Sequence, residues 1–80
     1  MKKIIFFLIS LNIATVLFAN DSIVSIADSL YLQKEYYSAI KLYEEAIKKN
    51  GASSDIYYNL GNAYYRSDNL GKAILNYERA

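Results

Sequence analysis

The stretch that decides the architecture is Tyr57-Tyr58-Asn59-Leu60-Gly61-Asn62-Ala63-Tyr64-Tyr65, followed by Lys72-Ala73-Ile74, Tyr77 and Ala80. Over Asp55–Arg66, apolar or aromatic residues fall at Ile56, Tyr57, Leu60, Tyr64 and Tyr65. This is the period of an amphipathic helix, not the alternation of a strand. Ser53 or Ser54 can cap that helix, and Asp55 in its first turn suits the positive end of the dipole. The cluster Ser67-Asp68-Asn69 ends it, and a second helical pattern runs from about Leu70 to Ala80. Gly61 sits mid-helix, where glycine costs about 1 kcal/mol relative to alanine. A close approach by another helix accounts for it. Ala73, at the matching phase of the next helix, is the expected partner, with Leu60, Tyr64 and Tyr77 filling the flanks.

Sliding the sequence along itself exposes a repeat. Asn20–Ala46 laid on Ser54–Ala80 pairs Asp21 with Asp55, Tyr31 with Tyr65, Ala39-Ile40 with Ala73-Ile74, Tyr43-Glu44 with Tyr77-Glu78, and Ala46 with Ala80. That is seven identities in 27 positions, and Ile26 with Leu60 and Ala27 with Gly61 are conservative. The first copy therefore also reads as two helices. One, capped by Asp21 or Ser22, runs to about Gln33. After a turn at Lys34-Glu35, the other covers Tyr36–Lys49, with Tyr36, Ala39, Ile40, Tyr43 and Ile47 on one stripe. Lys48 and Lys49 suit its C-terminal dipole, and Gly51 supplies a left-handed stop.

The residues quoted above resemble a tetratricopeptide repeat. Tyr57, Leu60, Gly61, Tyr64, Ala73, Tyr77 and Ala80 all stand where that family carries its defining residues. In the first copy Ile26, Ala27, Ala39, Tyr43 and Ala46 match, whereas Ile23 replaces an aromatic, Leu30 a tyrosine and Gly51 a proline. The resemblance covers residues 20–80. It implies an all-α fold: an α-solenoid of two helical hairpins, residues 20–53 and a shorter unit at 54–80. It also implies a concave groove lined by the first helix of each hairpin, binding an extended peptide or a partner helix. The groove residues it implies are Asp55, Tyr58, Asn59, Asn62, Tyr65 and Arg66 in the second unit, with Asp21, Val24, Asp28, Tyr31 and Leu32 in the first. Asn59 and Asn62 are neighbours on one helix face, and each amide can donate and accept. Tyr58 and Tyr65 offer rigid amphipathic contact area. The family's carboxylate clamp does not fit. Asn59 matches one of its positions, but Val24 and Asp28 replace the others, and Asp28 would repel a carboxylate.

Residues 1–19 differ from the rest. They hold all three Phe and two charges, Lys2 and Lys3, while all nine Tyr lie beyond. Met1-Lys2-Lys3 followed by the apolar run Ile4–Phe18 reads as an export signal, with cleavage expected after Ala19. Leu17 is larger than a cleavage site prefers, so an uncleaved membrane anchor is the alternative. A buried core helix does not fit, since apolar residues run all round the wheel. Fifteen residues at a 1.5 Å rise reach about 22 Å, short of a ~30 Å hydrocarbon core. In either case the body faces the periplasm as an exported or anchored module, with the lysines left on the cytoplasmic side.

The composition excludes much chemistry. The chain has 80 residues and a formal charge of +1, with no Cys, His, Trp or Pro. Without Cys or His there is no disulfide scaffold, zinc finger, thiol nucleophile or imidazole base. No catalytic residue, metal site or cofactor is expected, and the chain does not read as an enzyme. Glu44-Glu45 diverge on a helix, and Asp21 and Asp28 stand about 10 Å apart along the axis. Gly51, Gly61 and Gly71 form no phosphate loop. Beyond Ala19 there are seven basic residues against eight acidic ones, which leaves no basic groove for nucleic acid. Tyr43, Tyr57, Tyr64 and Tyr77 are expected in the core. The expected partner is a protein or peptide, with membrane contact only through the N-terminal segment. Two repeats are few for a solenoid, and the last helix is still apolar at Ala80. Further repeats, or self-association at that end, are therefore expected. Two functions fit these features: an exported scaffold in the bacterial envelope, or a non-catalytic appendage of a larger envelope enzyme or assembly factor.

Overall fold

Four helices follow one another along the chain: α1 (Ala19–Leu32), α2 (Tyr36–Asn50), α3 (Ser54–Arg66) and α4 (Leu70–Arg79). The computed structural model describes residues 19–80, with side chains from Ile23 onward. The export segment expected before Ala19 lies outside the described residues. Helix α1 already includes Ala19, ahead of the caps expected at Asp21 or Ser22. Among the described residues there is no strand, and no helix is long and apolar enough to cross a membrane.

Local chemistry sets the helix ends. Ser53 is extended (φ −138°, ψ 155°), and its Oγ accepts the Ile56 N–H at 3.2 Å. Asn69 Oδ1 accepts the Lys72 N–H at 3.3 Å and so starts α4. Each bond satisfies a donor that the first helical turn leaves free. Lys48 and Lys49 close α2. Gly51 follows with φ +88° and ψ 167°, a positive φ that glycine accepts readily, but extended instead of left-handed helical as the sequence suggested.

The two turns within the hairpins are the same turn made twice. Lys34 has φ +64° and Asp68 has φ +65°, and the two occupy the same place in the two copies of the repeat. The Lys34 N–H donates to Tyr31 O (3.0 Å) and the Glu35 N–H to Leu30 O (2.8 Å). The Asp68 N–H donates to Tyr65 O (3.1 Å) and the Asn69 N–H to Tyr64 O (2.9 Å). This pair of bonds around a left-handed residue is the Schellman closure of a helix. Neither site carries the glycine that such a conformation favours, so each stores strain. Lys34→Gly and Asp68→Gly are each expected to stabilise the chain by about 0.5–1 kcal/mol, a rise of roughly 2–6 °C in thermal melting by circular dichroism. Unchanged melting in both variants would contradict this account of the turns.

Helices adjacent in sequence are adjacent in space: α1 packs on α2, α2 on α3, and α3 on α4. Ala27, Ala39, Ile40, Tyr43, Leu60, Ala63, Tyr64 and Ala73 form one buried cluster, and Val24, Leu30, Tyr31, Leu42, Ile47 and Ile56 pack around it. Ala46 is fully buried as well. Alanines let the helices approach, and the large side chains fill the space between.

Three expectations change. A Cβ built on Gly61 would lie 2.7 Å from two ring carbons of Tyr77, and the nearest atoms are all from that ring. Gly61 therefore makes room first of all for the ring of Tyr77, which the sequence places only at the flank. Tyr77 is correspondingly not a core residue. One side of its ring covers Gly61, the Tyr58 ring is beside it, and just over a third of the residue (37%) is open to solvent; Ala80 is exposed too. Tyr57 is half-buried, whereas Tyr43 and Tyr64 are in the core as expected.

Candidate functional site

On α1, Asp28, Tyr31 and Leu32 fall three and four residues apart and so share a face. On α3, Asn59 and Asn62 do the same. The fold brings these two faces to one open cavity of about 260 Å³, with Tyr43 of α2 as its sixth lining residue. Asp28, Tyr31, Asn59 and Asn62 of the expected groove are thus together, and Leu32 with them.

The floor of the cavity is held by two equivalent bonds. The Tyr43 hydroxyl donates to Asp28 Oδ1 at 2.5 Å, and the Tyr77 hydroxyl donates to Asn62 Oδ1 at 2.5 Å. Tyr77 is the repeat counterpart of Tyr43, and Asn62 that of Asp28, so each hairpin ties its second helix to its first by the same tyrosine. Among the described residues nothing else pairs with Asp28 Oδ2, which can accept, or with the Asn62 NH2, which can donate. Among the described residues no cation stands within 4 Å of Asp28. Burial pushes the Tyr43 phenol well above its ordinary range, and the bond to Asp28 and the charge of that carboxylate add to the effect. Tyr64 is raised by burial and by Glu44, to whose Oε2 its hydroxyl donates at 3.3 Å. Both phenols therefore remain neutral donors at physiological pH.

The other expected groove residues are placed differently. Tyr58 and Tyr65 are both more than half exposed and do not line the cavity. The Tyr58 ring lies 5.8 Å from that of Tyr77, on the α4 side of α3. Arg66 is beside Tyr31, whose hydroxyl holds the guanidinium further above its usual range, and Tyr31 packs edge-on to Tyr36 at 5.4 Å. Val24 packs against the core instead of the groove, and Asp55 is an exposed first-turn residue of α3. The side chain of Asp21 lies outside the described residues. Sequence reasoning missed Tyr43 as a lining residue. The available signal was its separation of fifteen positions from Asp28, repeated between Tyr77 and Asn62.

Chemically the cavity offers hydrogen-bond donors, acceptors, one carboxylate and apolar wall. Among the described residues no three His, Cys, Asp or Glu side chains converge as metal ligands. The arrangement suits holding a polypeptide, whose backbone needs both donors and acceptors. A family model described as a TPR repeat matches residues 27–68, just over half of the chain. No curated protein and no solved structure matches it.

Proposed function

Because this chain belongs to the tetratricopeptide repeat family, whose repeats are protein-interaction modules, we propose that its α1–α3 cavity holds an extended segment of a partner protein. The observation that carries this reading is the convergence of the free Asp28 oxygen, the Asn59 amide and the Asn62 NH2 on one cavity. An extended backbone would pair with the two amides, and Asp28 favours a segment with a cationic or N–H-rich residue facing it. The reading extends to location. Lys2, Lys3 and the apolar run Ile4–Phe18 support export, so the module acts as an adaptor between proteins of the bacterial envelope. The export segment, the tyrosine-rich repeats and their order resemble the tetratricopeptide-repeat protein of the Bacteroides aerotolerance operon, which supports the same assignment.

The test is a peptide array probed with the full chain. Asn59→Ala removes a cavity-lining amide with no side-chain hydrogen bond among the described residues. Asp28→Asn removes the charge while keeping an acceptor for Tyr43. Each change is expected to weaken captured segments by about tenfold, the loss of one or two polar contacts. Lys48→Ala, on α2 away from the cavity, should leave capture unchanged. Equal binding by all four proteins would overturn the groove assignment. Asn62→Ala is the poorer probe, since it also strips the Tyr77 hydroxyl of its acceptor.

A further inference from the structure

Among the described residues, two exposed faces are, position for position, the repeat counterparts of two faces that meet inside the fold. The internal seam joins α2 to α3. On the α2 side Ile40 is 5% exposed and Tyr43 1%; on the α3 side Leu60 is 3% exposed, with Ala63 and Tyr64 buried beside it. The counterpart of α2 in the second copy of the repeat is α4, where Ile74 is 59% exposed and Tyr77 37%. The counterpart of α3 in the first copy is α1, where Ile26 is 51% exposed. Ser29 and Leu30, the counterparts of Ala63 and Tyr64, lie with Ile26 along a shallow surface groove. A single exposed isoleucine is ordinary. Here the exposed residues recur as matched sets, one at each end of the stack, in the register that the seam already uses.

We propose that the chain stacks head to tail on a second copy of itself, with α4 of one copy receiving the Ile26–Leu30 face of α1 of the next. Ile26 takes the position that Leu60 holds within the chain, against Ile74 and the open side of Tyr77. Ser29 is close to Ala63 in size and Leu30 is smaller than Tyr64, so the copied seam closes without overpacking. The partner is a second copy because one chain carries both halves of the contact, and the two halves occupy different faces. Such a contact is heterologous, so it leaves a free face at each end and propagates instead of closing as a two-fold dimer. This inference is independent of what the α1–α3 cavity binds.

The absence of cysteine makes the test direct. Full-length Ile26→Cys and Ile74→Cys chains, carrying tags of different size, are expressed together and treated with a short bifunctional maleimide. Cross-linking is expected between the two different chains and not within either single-variant population. A chain carrying both cysteines should give a ladder of oligomers. Adding Ile74→Asp to the Ile26→Cys chain gives that chain a charged α4 face. It should still cross-link to Ile74→Cys, because the α1 face it contributes is intact. Adding Ser29→Asp, at an exposed residue of the same α1 face, to the chain that carries both cysteines should abolish the ladder while leaving helicity unchanged. Cross-links confined to one variant alone, or none in the mixture, would overturn the proposal. The second result is also what a different protein, or a helix of the chain's own continuation, seated on α4 would produce.

Discussion

Tyr43→Ala lowers the stability of the folded chain by about 3–5 kcal/mol, the cost of truncating a buried aromatic. Tyr43 is the largest fully buried side chain among the described residues, and its hydroxyl reaches back to Asp28 on α1. Removing it opens a void between the first hairpin and α3 and cuts the tie between α1 and α2. Total stability of a domain is of the order of 5–15 kcal/mol, so a loss of this size should appear as a large drop in the denaturation midpoint. Tyr43→Phe separates the two contributions. It keeps the packing and loses only the hydroxyl, and because Asp28 is exposed its carboxylate can turn to water. That variant should lose only about 1 kcal/mol. If Tyr43→Phe were as damaging as Tyr43→Ala, the hydrogen bond and not the ring would be the main contribution.

Gly61→Leu is the second large effect. Leucine favours helix over glycine by roughly 1 kcal/mol, so an uncrowded site would gain stability. At Gly61 the first added carbon already meets the Tyr77 ring at 2.7 Å. The ring must leave its seat, losing its packing and its bond to Asn62, and α4 is displaced with it. Overpacking of this kind costs about 1–3 kcal/mol and sometimes more, which outweighs the propensity gain. The expected result is a net loss of about 1–2 kcal/mol by urea denaturation, concentrated in α3 and α4. Pairing it with Tyr77→Ala should make the double variant more stable than the two single losses predict, since both act on one contact. Strict additivity would mean that the ring and the glycine are not the coupled pair.

How much of this was legible beforehand follows from which signals are local. Helical period, the Ser53 cap and the turn at Ser67-Asp68-Asn69 all depend on neighbours a few residues away, and they locate α3 and α4 to within a residue. The repeat was visible through Ala39, Tyr43, Ala73 and Tyr77. Its most faithful expression, the left-handed pair Lys34 and Asp68, was not, because lysine gives no sign of a positive φ, aspartate is only enriched there, and the two differ in charge. That the Tyr77 ring lies nearest to Gly61 was missed for a similar reason. Helix phase says which face a residue occupies, but not whether a small residue or a ring fills the gap. The groove residues on α1 and α3 could be placed because helix faces follow spacing. That Asn62 already holds Tyr77, and that Tyr58 and Tyr65 stand apart from the cavity, depends on side-chain reach across helices.

The paired tyrosine bonds place one set of atoms in two roles. Asp28 and Asn62 form the lining of the cavity and, through Tyr43 and Tyr77, the latches that close each hairpin. A ligand that gripped either residue would also brace the latch behind it, which would link occupancy thermodynamically to the integrity of the helix pairs. On the proposed reading, the empty groove would be the looser state and a filled one would work as a rivet through both hairpins at once.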